Sequence, residues 1–120
     1  MPRYILAFML VLAVLTAQMI ALDHTILLRL PFFHFIMHVA GGMAVALAAM
    51  AFIANFKLPM PHARYVVVMV VLIFGLLWEL FETIFNLTGY RLGSALYYLD
   101  LGKDLADDLL GGIFIVWLMN

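Results

Sequence analysis

The sequence predicts an all-α fold: an integral membrane four-helix bundle running up-down-up-down, with a candidate short interfacial helix before the last span. Three observations carry this. The 120 residues are 68% hydrophobic and only 11% charged, with a mean hydropathy of +1.18. Soluble domains sit nearer half apolar and a quarter charged. So much apolar surface cannot all be hidden inside so small a globule, which makes lipid the solvent. Finally, the apolar residues fall into four runs near the length of roughly 20 residues that a helix needs to cross the hydrocarbon core.

The first run, "YILAFMLVLAVLTAQMIAL", covers residues 4–22 and is interrupted only by Thr16 and Gln18. Arg3 precedes it, as in a signal peptide, but the run is long and no A-x-A cleavage pattern follows, so a retained span is expected. "DHTILLRL" connects it to Pro31, and proline suits the first turn of a helix. The second run covers residues 31–56 and contains "GGMAVALAAMA", small residues that let helices approach closely. "KLPMPHAR" reads as a short polar loop with two prolines. The third run covers residues 65–87 and is rich in β-branched residues, yet an isolated strand in lipid leaves its backbone unsatisfied, so helix wins. "NLTGYRLGS" breaks it. "ALYYLDLGKD" is the candidate interfacial helix, with Tyr97 and Tyr98 at headgroup level. The fourth run covers residues 100–119. The chain reads as a single transmembrane domain.

Four spans put the N-terminus, the "KLPMPHAR" loop and the C-terminus on one side with Arg3, Lys57 and Arg64. Arg29, Arg91 and Lys103 lie on the other. The free amine, and the partly helical position of Lys103, tilt the termini toward the cytoplasm. A net charge of −1 gives no basic footprint for nucleic acid. The chain has no cysteine, which excludes disulfides, thiolate metal sites and a thiol nucleophile.

The chemistry collects at one end of the bundle. His34 and His38 open the second span, Glu79 and Glu82 close the third, and Asp100, Asp104, Asp107 and Asp108 open the fourth. Up-down topology brings these three segments to one membrane layer. His34 and His38 share a helix face, as do Glu79 and Glu82. Asp100, Asp104 and Asp108 form an i, i+4, i+8 stripe; Asp107 stands aside. At about 1.5 Å rise per residue, His38 and Asp108 lie roughly 10 Å inside their expected helix starts. An ionised aspartate at a span's centre costs roughly 2.5–3.5 kcal/mol. Six close carboxylates must therefore share protons or bind a cation. Imidazole with carboxylates suits Mg²⁺, Mn²⁺, Fe²⁺ or Zn²⁺.

The candidate metal ligands are His38, Glu79, Asp104 and Asp108, with His34, Glu82 and Asp100 as secondary candidates. Glu82 and Asp108 are the candidate acid/base groups of an enzyme. Plainer readings exist for some. Asp107 suits a first-turn acid favoured by the helix dipole, His34 suits an interfacial histidine, and Glu79 and Glu82 suit a helix end at the interface. Gly41, Gly42, Gly111 and Gly112 read as packing residues, and the nine methionines as lipid-facing or filler side chains.

"HVAGG", "GLLWELFE" and "DLGKDLADDLLGG" together resemble the VanZ-like superfamily of small bacterial membrane proteins, and the E-x-x-E and D-x-x-x-D-x-x-x-D-x-x-G-G arrangement most resembles its YjdF-type inner-membrane branch. The resemblance covers the last three spans. It implies that His38, Glu79, Asp104 and Gly111 occupy signature positions, and a multi-pass place in the bacterial inner membrane. VanZ-like proteins usually carry glutamine where this chain has Glu82, and often asparagine where it has Asp108, so this chain is more acidic. The family also has an arginine before the last span; Arg91 stands at a different spacing from the aspartates, so that role is not carried over to it. The family's association with glycopeptide resistance implies a role at the cell envelope. Three expectations follow. One is a protein whose acidic site binds a divalent cation or a cationic headgroup. Another is a metal-dependent enzyme acting on envelope lipid or phosphate substrates. The last is a proton- or ion-coupled transporter component, which four spans would support only as a homo-oligomer. Membrane lipid is the expected partner in each.

Overall fold

The computed structural model describes residues 3–23, 31–57, 59–85 and 90–118. Among them are four α-helices and no strand: α1 (Arg3–Asp23), α2 (Pro31–Ile53), α3 (Met60–Ile84) and α4 (Ala95–Leu118). A 3₁₀ turn, Ala54–Phe56, extends α2. The all-α four-helix class read from the sequence is the class observed. The segments Phe32–Phe56 and His62–Ile84 are long and apolar enough to cross a membrane.

Two boundaries differ from the sequence reading, each for a local reason. "KLPMPHAR" is mostly not a loop. Lys57 takes the left-handed conformation (φ 51°) that ends the 3₁₀ turn, Pro59 is the N-cap, and Met60 already begins α3. Pro61 is tolerated because the first helical turn has no use for its missing N–H. At the other boundary, "ALYYLDLGKD" is the opening of α4, continuous with the apolar run. Gly93 supplies the positive φ of 83° that turns the chain. The Ser94 hydroxyl then accepts the Tyr97 backbone N–H at 3.2 Å, an N-cap that starts the helix there. Asp108 therefore lies about 20 Å along α4, not 10 Å, by the rise per residue.

Helix α2 is central. It packs against α1, α3 and α4, whereas the backbone of α1 packs against α2 alone. The α2–α4 interface is the most extensive and depends on missing side chains. A Cβ on Gly42 would run into the Asp108 carbonyl, and one on Gly111 into the Val39 carbonyl. This is main chain against main chain, the approach that small residues permit. Along α3 and α4 the pairs Thr83–Tyr97, Gly75–Asp108 and Val71–Gly112 count in opposite directions, so these helices are antiparallel.

One end of the bundle is an apolar core of Leu47, Ile53, Val67, Val71 and Ile115. The other end holds the buried ionisable side chains. The outside is apolar, with Phe8, Ile36, Leu77 and Phe114 all exposed, while His38, Glu79, Glu82, Asp104, Asp107 and Asp108 are buried. Water-soluble proteins distribute these types the other way round.

Candidate functional site

His38 comes from the second turn of α2, Glu79 and Glu82 from the last turns of α3, and Asp104 and Asp108 from the middle of α4. His38, Glu79 and Asp104 are each exposed by 6% or less. Each offers one ligand-type atom, and no two of those atoms lie more than 4.8 Å apart.

The imidazole is held between two aspartates. Its Nδ1 lies 3.0 Å from Asp108 Oδ1, so the Nδ1–H donates to that carboxylate. This bond fixes the ring and leaves Nε2 facing Asp104, whose Oδ2 is 3.4 Å away, long for a hydrogen bond. A carboxylate on one nitrogen of a histidine whose other nitrogen faces further ligand atoms is how proteins orient a metal-binding imidazole. Glu79 Oε1 and Asp108 Oδ2 are buried without a hydrogen-bond partner among the described residues. A buried carboxylate oxygen left that way is costly.

The surrounding residues position these groups. Gly75 faces the Asp108 carboxylate, and a Cβ there would stand 2.6 Å from Oδ2. Trp78 donates its indole N–H to Glu82 Oε1 at 3.0 Å. Thr83 donates to the Glu79 carbonyl at 2.9 Å, which makes the Tyr97 hydroxyl the donor to Thr83 Oγ1 at 2.8 Å. That chain ties the end of α3 to the start of α4. None of Gly75, Trp78, Thr83 or Tyr97 stood out as a site residue by type. Their signal is spacing: Gly75 and Trp78 lie one turn before Glu79 and Glu82, and Thr83 one turn after Glu79.

The remaining candidates stand outside the triad. Asp107 is buried but faces Lys103, whose ammonium lies 2.9 Å from Oδ2. Asp100 is half-buried, one turn outward from Asp104. His34 is half-buried, edge-on to Phe33 with ring centroids 5.9 Å apart. Gly112 fits under Val71, with a Cβ there 2.9 Å from its nearest methyl. Gly41 is different. A Cβ there would meet nothing within 4 Å, because it borders a cavity of about 270 Å³ whose walls also include His34, His38, Glu82 and Asp108. Arg29 lies outside the described residues.

A model of one protein family matches residues 2–120, essentially the whole chain, and describes its members as "Predicted membrane protein (DUF2238)". The chain belongs to that family. No curated protein and no solved structure matches it. The DUF2238 chain thus combines a membrane protein's apolar exterior with a buried His/Glu/Asp triad.

Proposed function

We propose that this DUF2238 protein crosses the bacterial inner membrane four times and binds a divalent cation at His38, Glu79 and Asp104. The observation that carries the reading is the placement of three ligand-type atoms within 4.8 Å on buried side chains, with Asp108 on the far nitrogen of the imidazole. Ligands at about 2.1 Å from an octahedral ion stand roughly 3 Å from their neighbours and 4.2 Å from the opposite ligand. The His38 Nε2–Asp104 Oδ2 separation of 3.4 Å falls between those two distances, and the 4.8 Å limit on the triad leaves a small inward movement for the ion to draw. One imidazole with two carboxylates suits Mn²⁺, Fe²⁺ or Zn²⁺, and Mg²⁺ less because imidazole is a softer donor. Asp108 is the positioning group and belongs one step back from the ligands. The likeness to VanZ-like proteins supports an envelope role, and the expected orientation keeps both termini in the cytoplasm.

A metal-dependent enzyme is the second reading. It is favoured by Glu82, which borders the cavity and is held by Trp78, where it would serve as the acid/base group on a bound substrate. A transporter requires a continuous polar path, and the apolar core at the opposite end gives that reading less support.

Cation removal tests the proposal. A ligand that binds only the folded state stabilises it by RT ln(1 + [L]/Kd), about 2.7 kcal/mol at a hundredfold excess over Kd. Chelator treatment of the detergent-purified protein is expected to lower its unfolding temperature, and Mn²⁺ or Zn²⁺ to restore it. An unfolding temperature indifferent to chelator and metal would overturn the reading. For topology, Ser94→Cys is expected to label only from the periplasmic side and Lys57→Cys only from the cytoplasmic side. The reverse pattern would invert the orientation.

A further inference from the structure

The cavity beside the triad has its own chemistry. Val11 and Val14 of α1 form one wall and Phe74 and Trp78 of α3 another, with Gly41 at its floor. Among the described residues the backbone of α1 does not approach that of α3, and the cavity lies between the two walls. An apolar cavity of about 150 Å³ is enough to hold benzene, and this one is about 270 Å³. Gly41 keeps it open. A glycine inside a helix costs roughly 0.5–1 kcal/mol relative to alanine, and here no neighbour requires the missing Cβ. The polar end of the cavity carries Glu82 and Asp108 with His34 and His38. Asp108 is 7% exposed, and its Oδ2 has no partner. Trp78 lines the same space, with Phe81 stacked on its ring at 5.2 Å.

We propose that this cavity binds the hydrocarbon chain of a membrane amphiphile with an ammonium headgroup. The chain lies between α1 and α3, and the headgroup meets Asp108, Glu82 and the Trp78 ring. Carboxylates and an indole are the surroundings that desolvated ammonium groups take, and among the described residues no lysine or arginine lines the cavity. Among the described lining residues, an anionic headgroup would meet the carboxylates of Glu82 and Asp108 and no ammonium or guanidinium group. The proposal deepens the cation-site reading and rests on it for the acidic character of the cavity's inner end.

The probes are dodecylamine, dodecanoic acid and dodecanol, each with a diazirine near the chain end, photolysed with the purified protein in detergent. The amine is expected to label the α1 and α3 segments around Val14 and Phe74 roughly thirtyfold over the acid, the margin of a desolvated cation–π contact. Gly41→Leu fills the cavity and is expected to abolish that labelling while leaving bound metal unchanged. Val14→Trp fills it from the other wall and is expected to do the same, so the test survives if one variant fails to fold. Equal labelling by the three probes would overturn the headgroup assignment. Labelling that is spread over the lipid-facing side chains, or that persists in both folded variants, would overturn the cavity assignment. Amine labelling in a protein without metal would sink the metal reading alone; bound metal without amine labelling would sink this inference alone.

Discussion

Alanine at His38 is expected to destabilise the protein by about 3–5 kcal/mol, the cost of removing one partner from a buried charged group, and to abolish cation binding. The imidazole lies between Asp108 at 3.0 Å and Asp104 at 3.4 Å, and without it both aspartates and Glu79 face one another in an enclosed space. His38→Asn separates the two effects. Its side-chain amide can still donate to Asp108 but offers no nitrogen ligand toward Asp104. Chemical unfolding in detergent should place the asparagine variant between wild type and alanine, with both variants free of metal. Equal stability of the alanine variant and wild type would mean that the imidazole does not bridge the aspartates.

The second large effect lies at the helix crossing. Gly42→Ala and Gly111→Ala each drive a methyl into a carbonyl of the facing helix. Overpacking ordinarily costs about 1–3 kcal/mol, and the upper end is expected because backbone cannot rotate away as a side chain can. The α2–α4 separation also sets the His38–Asp108 distance, so cation affinity should fall with stability. Gly41→Ala is the control one residue away. Its Cβ meets open space, so helix propensity alone should raise stability by roughly 0.5–1 kcal/mol. Thermal unfolding of the three variants checks this, and a Gly41→Ala protein as damaged as Gly42→Ala would contradict the packing described.

The sequence made the fold class readable because composition and run length respond to lipid directly. It also made the convergence readable: i, i+4 histidines, i, i+3 glutamates and the aspartate stripe lie on segments that up-down topology must bring to one end. Depth was harder. Asp108 lies deeper along α4 than the apolar run implies, because a single serine, Ser94, moves the helix start by five residues, and a hydroxyl cap leaves almost no trace in hydropathy. The two glycines at 41 and 42 look identical in sequence. Only the facing backbone distinguishes them, one closing on the Asp108 carbonyl and the other opening onto a cavity. Asp107 and Asp108 are likewise adjacent and equally acidic, yet rotation about the helix sends one to Lys103 and the other to His38. The Tyr97–Thr83–Glu79 chain crosses two helices and no periodicity announces it.

Bound metal per protein chain, measured across four aspartate and glutamate variants, tests the cation site most directly. Near-stoichiometric divalent metal is expected in wild type and in Asp107→Asn, whose carboxylate belongs to Lys103. Glu79→Gln and Asp104→Asn should lose it. Asp108→Asn should keep it at an affinity about 10–100-fold weaker, the usual effect of removing a group that orients a ligand. A metal-free wild type, or loss in Asp107→Asn equal to that in Asp104→Asn, would contradict the site.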